Sequence, residues 1–215
     1  MGNEGKSKIK TIFLSAEKLP FFTLDDLASM ETNKTYLKIL LSRYEKSGKA
    51  VRLKKGIYVA KNYLIELEKS SRISAYSEFL SGVLYQPSYL SLDYILYKHN
   101  IITEMPVNFT AVAKKKTISF SNGFGKFFYH KIKPDLFCGF ATVKEGGFTI
   151  FRATKAKALF DFLYFKKHGI LDKKAADELR LNLGELNQKD RKELDDYIKK
   201  EGSKKMREIY RYLFS

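Results

Sequence analysis

The sequence predicts an α+β chain: an N-terminal winged helix-turn-helix, then a mixed domain with a small antiparallel sheet and a C-terminal helical bundle. Three observations predict it. Residues 22–60 run as a short helical pattern, a turn, a longer basic helical pattern and two β-rich segments joined by Lys54-Lys55-Gly56. Between Phe109 and Phe151, β-formers alternate with Asn122-Gly123 and Gly146-Gly147, which are hairpin signals. From Thr154 to the end the apolar spacing is helical.

In chain order, Lys8–Ala16 forms a first helix with Ile9, Ile12 and Phe13 on one face, ended by Leu19 and Pro20. Thr23 with Asp26 resembles a capping box and starts a second, short helix with Leu24, Leu27 and Ala28 buried, ending near Met30. Thr32 or Asn33 caps the third helix, whose Leu37, Leu40, Leu41 and Tyr44 share one stripe. Gly48 closes it as a left-handed C-terminal cap. Two strands follow, Lys49–Leu53 and Ile57–Val59, turning at Gly56. Residues 62–69, 72–81 and 89–99 read as helices, with the domain joint at 65/66. Strands are expected at 109–112, 117–120, 127–132, 140–143 and 148–151. A strongly apolar helix around Ala158–Phe165 and helices at 173–183, 187–200 and 203–214 complete the chain.

Composition narrows the partners. The 215 residues carry a net charge of +16, which points first to nucleic acid and second to an acidic membrane surface. The charge is uneven. Residues 1–60 hold 12 Lys+Arg against 6 Asp+Glu, residues 61–97 hold 3 against 4, and residues 98–155 hold 10 against 3. One cysteine, Cys138, excludes an internal disulfide and fits a reducing compartment. The N-terminal stretch lacks the apolar run of a signal peptide, and Leu159–Phe165 is too short to span a bilayer, so a cytoplasmic location without membrane attachment is expected.

The major groove of B-DNA accepts one α-helix, and the first turn of that helix makes most base contacts. The expected DNA-binding residues are therefore Asn33, Lys34, Thr35 and Lys38, with Arg43 further along the helix. Lys54 and Lys55 at the wing tip, with Arg52 behind them, are expected at the flanking backbone or minor groove. A second basic patch comprises Lys114, Lys115, Lys116, Lys126 and Lys131 among phenylalanines and tyrosines. Basic strands with aromatics can stack single-stranded bases, so an RNA-binding regulator is the alternative reading. The competing reading of the same strands is a half-buried sheet, aromatics inward and lysines outward.

Chemistry is poorly represented. Asp25-Asp26 and Asp195-Asp196 are adjacent on helices and diverge around the axis, unlike the convergent carboxylates of a metal-dependent transferase. Asn122-Gly123-Phe124-Gly125 lacks the lysine of a phosphate loop. Cys138 with His130 is a weak nucleophile–base pair, and three scattered histidines make no metal site. No enzyme activity, cofactor or metal is expected.

Three segments, in order, resemble the AbiEi-type antitoxins, also described as transcriptional regulators of viral defence. RYEKSGKAVRLKKGIYV (43–59) resembles the family's helix-to-wing passage. YLSLDYILYKHNI (89–101) resembles its S-Y-L-S…A-L…H-G-L helix, with Asn100 in place of the usual glycine. RATKAKALFDFLY (152–164) resembles its A…E-K-A-L-L-D-L-L helix, with Ala156 where glutamate is common. The resemblance covers about residues 20–170. It implies an abortive-infection type IV toxin–antitoxin system. In it, the N-terminal domain binds inverted repeats of double-stranded DNA in its own promoter. The larger domain counters a nucleotidyltransferase-like toxin without a stable complex.

Overall fold

The computed structural model describes residues 11–28 and 31–214. They form an α+β chain that divides into two compact units. One comprises residues 1–76 with 122–124; the other comprises residues 77–121 with 125–215. The division falls after Tyr76, later than the joint expected at 65/66. The reason is Tyr76 itself: its ring is fully buried, packs against Tyr63, and its hydroxyl donates to the Pro20 carbonyl at 2.7 Å.

The first unit begins with α1 (residues 11–16), α2 (Leu24–Ala28) and α3 (Lys34–Lys46). The expected starts at residues 8–10 and the end near Met30 lie outside the described residues. Thr23 and Asp26 form the anticipated reciprocal cap: the Thr23 amide donates to Asp26 Oδ2 at 2.7 Å, and the Asp26 amide to Thr23 Oγ1 at 3.3 Å. Ile12, Phe13 and Ala16 of α1 close on Leu27 of α2 and on Leu37, Leu40 and Leu41 of α3 in one core. Each such leucine, isoleucine or phenylalanine removed from water contributes about 1.5–3 kcal/mol.

Strands β1 (Ala50–Lys54) and β2 (Ile57–Ala60) then pair antiparallel, with Gly56 at φ +84 in the turn. A register shift between Arg52 and Lys54 sets Lys54 opposite Ile57. Phe22 adds to this ribbon through two backbone bonds with Tyr58, at 2.8 and 2.9 Å. Helix α4 (Lys61–Lys69) follows, and the Asn122 amide group donates to the Leu53 carbonyl at 3.1 Å.

In the second unit, most of α5 (Ile73–Leu84) leads to β3 (Ser88–Leu90) and α6 (Leu92–Lys98). The sequence pattern assigns 89–99 wholly to helix, and the structure corrects this. Ser88–Leu90 is buried on both faces, so its apolar run has no alternation to mark it as a strand. The six-stranded sheet has the order β5-β6-β4-β3-β8-β7. Here β4 is Phe109–Ala113, β5 Ile118–Asn122, β6 Gly125–Lys131, β7 Phe140–Glu145 and β8 Phe148–Ala153. The β3/β4 and β7/β8 pairs are antiparallel, whereas β4/β6 and β3/β8 are parallel. Helices α7 (Lys155–Lys166), α8 (Lys173–Asp177), α9 (Gln188–Glu201) and α10 (Lys204–Phe214) complete it. The helix expected at 173–183 stops at Asp177, and Arg180 takes φ +50. Asn100, the residue in place of the family's glycine, has φ +56 just past the end of α6, a left-handed conformation that asparagine tolerates better than most residues. Ala156, in place of the family's glutamate, is fully buried in the first turn of α7.

Candidate nucleic-acid interface

Helix α3 has one apolar and one polar side. Leu37, Leu40 and Leu41 are buried, whereas Lys34, Thr35, Lys38, Ile39, Ser42, Arg43 and Lys46 are exposed. At roughly 100° per residue, the exposed positions span about half the helix circumference. Lys34 lies at one margin of this arc and Arg43 at the other, with Thr35 and Ser42 near its middle.

The first turn is held at both ends of the chemistry that makes it. Asn33 is the N-cap: its side-chain oxygen accepts from the Tyr36 amide at 3.0 Å, and its own amide donates to Glu31 Oε1 at 2.9 Å. Its oxygen is thus committed to the backbone, which narrows its place in a DNA surface to its amide hydrogens. Lys34 pairs with Asp25 of α2 at 3.0 Å, with both side chains largely exposed. Such a pair is worth only about 0–1 kcal/mol, so a phosphate can displace the carboxylate. Arg52 and Lys55 are exposed and Lys54 is half-buried, all on or beside the β1–β2 turn. The first unit therefore carries the whole of the expected DNA set, divided between the outer side of α3 and the hairpin.

The second basic set is only partly gathered. Lys114, Lys115 and Lys116 follow β4 directly and are exposed. Lys131 pairs with Ala113 in the β4/β6 register, and its amide donates to Thr117 Oγ1 at 3.0 Å, so it joins that run. Lys126 stands at the other end of β6, about 17 Å away along the strand. The aromatics are mostly spoken for. Phe127 and Tyr129 are fully buried, Tyr129 donates to the Ser81 carbonyl at 2.7 Å, and Phe120 packs on Tyr85 and Tyr129. Lys114 lies over the Phe137 ring at 5.1 Å.

Two buried ionic clusters of the second unit escaped sequence reasoning. In the first, Lys157 and Asp161 are both 0% exposed and 2.6 Å apart on α7. Asp161 Oδ2 also accepts from Ser91 Oγ at 2.7 Å and Tyr89 Oη at 3.1 Å. Burial pushes the Asp161 carboxyl above its ordinary range, outweighing Lys157 and the hydroxyls of Ser91 and Tyr89. The Lys157 ammonium sits among the rings of Phe160, Tyr197 and Tyr89. Gly139, at φ +74, leaves room for this group: a Cβ there would lie 2.1 Å from Tyr197 Oη. In the second cluster, fully buried Glu78 accepts from Tyr94 Oη at 2.9 Å, Arg152 Nε at 2.6 Å and Lys98 Nζ, while Arg152 also reaches Glu145 at 2.6 Å. Burial opposes the charge on Arg152, but Glu145 and Glu78 hold its pKa above the ordinary value. The signal for the first cluster is that Tyr89, Ser91, Lys157 and Asp161 all lie within the resembling segments 89–101 and 152–164. Glu78 had no local signal.

Among the described residues, no group of three or more His, Cys, Asp and Glu side chains is placed to hold a metal ion, and no helix is long and apolar enough to cross a membrane. Cys138 and His130 are not brought together: Cys138 Sγ lies 3.7 Å from Lys200 Nζ, and His130 packs on Phe165. No protein-family model matches this chain, and no curated protein matches it.

Proposed function

We propose that residues 1–76 form a winged helix-turn-helix that binds double-stranded DNA, with α3 in the major groove and the β1–β2 turn on the flanking backbone. The carrying observation is the outer side of α3, where Lys34, Thr35, Lys38 and Arg43 are presented to solvent while the opposite leucines are buried. Lys34 and Arg43 at the margins suit the two phosphate walls of a groove, and the residues between them suit base edges. The pairing of Phe22 with Tyr58 gives the hairpin a third strand residue, which stiffens a wing. Taken with the three resembling segments, the reading is an antitoxin that represses its own toxin–antitoxin promoter at inverted repeats. It counters a nucleotidyltransferase-like toxin in phage defence without a stable complex. The RNA-binding alternative is disfavoured, because Phe127 and Tyr129 spend their rings on the core.

The test is a mobility shift of the full chain on the DNA upstream of its own reading frame. Micromolar or tighter binding is expected, lost when Lys34, Lys38, Lys54 and Lys55 are together changed to glutamine. The salt dependence should report the same contacts, with the slope of log K against log salt falling by about 0.9 for each lysine on a phosphate. Unchanged binding and slope in that variant would reject the assigned surface.

A further inference from the structure

Ile39 breaks the chemistry of its surroundings. It is 48% exposed on the outer side of α3, one turn after Thr35 and one turn before Arg43, among lysines, Thr35 and Ser42. Single exposed apolar residues are common and by themselves mean little. This one is also a poor choice for its local structure. A β-branched side chain at an exposed helix position loses rotamer freedom, so isoleucine, like Thr35 on the same face, is a weaker helix former there than Lys34, Lys38, Arg43 and Lys46. Neither the helix nor the core gains from it: the buried stripe of α3 is made by Leu37, Leu40 and Leu41. A position where local rules fail without a gain in packing is where function is expected.

The position gives the function a chemical form. Around the helix, Lys38 and Ile39 flank the middle of the exposed arc on opposite sides, inside the margins held by Lys34 and Arg43. A residue inside those margins meets base edges rather than phosphates. Base edges in the major groove offer donors, acceptors and one apolar group, the C5-methyl of thymine. A branched aliphatic side chain has no hydrogen bond to offer, and the methyl is the one feature it can recognise.

We infer that Ile39 is a specificity-determining residue that reads the C5-methyl group of a thymine in the major groove of the bound DNA. The inference rests on the reading of α3 as the groove-entering helix. Burying one methyl-sized group against the side chain corresponds to about 0.8 kcal/mol, or about a fourfold change in affinity.

The experiment uses the full chain and double-stranded DNA sites selected by it from a random pool. Each thymine of a selected site is replaced in turn by deoxyuridine, which lacks only the methyl group, and affinities are measured for the parent, Ile39→Ala and Ile39→Ser. At one position the parent should lose about fourfold on replacement, while both variants should bind thymine and uracil sites equally. Ile39→Ala leaves the core untouched and should melt like the parent, so a change in affinity is not a change in folding. If the parent tolerates uracil at every position, or if the variants show the same loss as the parent, the inference is overturned. Failure of the underlying reading looks different: no sequence is then enriched from the pool, and neutralising the lysines of α3 leaves binding unchanged.

Discussion

Replacing Lys157 by methionine takes one charge out of a pair in which both side chains are 0% exposed. Asp161 keeps its bonds from Ser91 Oγ at 2.7 Å and Tyr89 Oη at 3.1 Å but loses its counter-charge at 2.6 Å. Breaking a buried pair from one side costs about 3–5 kcal/mol, because the remaining charge is stranded. Burial already raises the Asp161 pKa against the lowering influence of Lys157, so removing Lys157 raises it further. Between the unfolded carboxyl pKa of about 3.9 and the raised folded value, the native variant holds a proton that the unfolded chain has released. Its stability therefore falls as pH rises, by at most about 1.4 kcal/mol per pH unit. The deficit of Lys157→Met relative to the parent should thus be smaller at pH 5 than at pH 7, by up to about 2.7 kcal/mol. Adding Asp161→Asn supplies a neutral acceptor for the same two hydroxyls; the double variant should be more stable than the single one at pH 7, and its stability should lack the pH slope that Asp161 gives the single variant. Urea unfolding followed by far-ultraviolet circular dichroism measures all three proteins at both pH values. A single-variant deficit that is the same at pH 5 and 7, together with a double variant no more stable than the single one, would refute the reasoning.

Two glycines separate backbone cost from packing cost. Gly48 and Gly139 have φ of +70 and +74, but a Cβ meets nothing within 4 Å at Gly48 and Tyr197 Oη at 2.1 Å at Gly139. Gly48→Ala should cost about 1–2 kcal/mol, and Gly139→Ala at least about 2 kcal/mol more, read from the same urea curves; equal losses would contradict the packing at Gly139. For His130, burial lowers the pKa, with Asp93 acting weakly the other way. The unfolded chain therefore takes up a proton first, so stability is full above the unfolded value of about 6.5 and declines as pH falls below it. His130→Gln should flatten the fall in melting temperature between pH 7 and pH 5, and an unchanged fall would show that His99, lowered by burial as well, or other groups carry it.

Much of the first unit was legible locally. The Thr23–Asp26 cap, the Asn33 cap and the Gly56 turn each follow from residues a few positions apart, and the leucine stripe of α3 follows from its period. The polar side of α3 was legible for the same reason, since a helix that buries one stripe must show the other. Of the two cap candidates, Thr32 and Asn33, it is Asn33 that caps α3, and only the folded chain shows that its oxygen is taken by the Tyr36 amide. Ile39 carries no signal in the sequence alone; its meaning depends on what surrounds it.

The second unit was legible as strands and helices but not as a topology. Alternation and hairpin signals mark β5 to β8, yet β3 has no alternation, and nothing local predicts that β4 runs parallel to β6 or that β3 lies between β4 and β8. The basic patch shows the same limit: Lys131 reaches the Lys114–Lys116 run through strand pairing, and Lys126 is left behind by it.

By itself, then, the sequence determined the secondary elements with strong periods or caps, the basic balance and the outward lysines, since these depend on neighbours three or four residues away. Only the tertiary structure decided that Ser91 and Tyr89 meet Asp161, and that Glu78 meets Lys98 and Arg152. A buried charge is tolerable only when its partners arrive together. Those partners come from strands and helices far apart in the chain, so their convergence is a property of the fold and of no single segment.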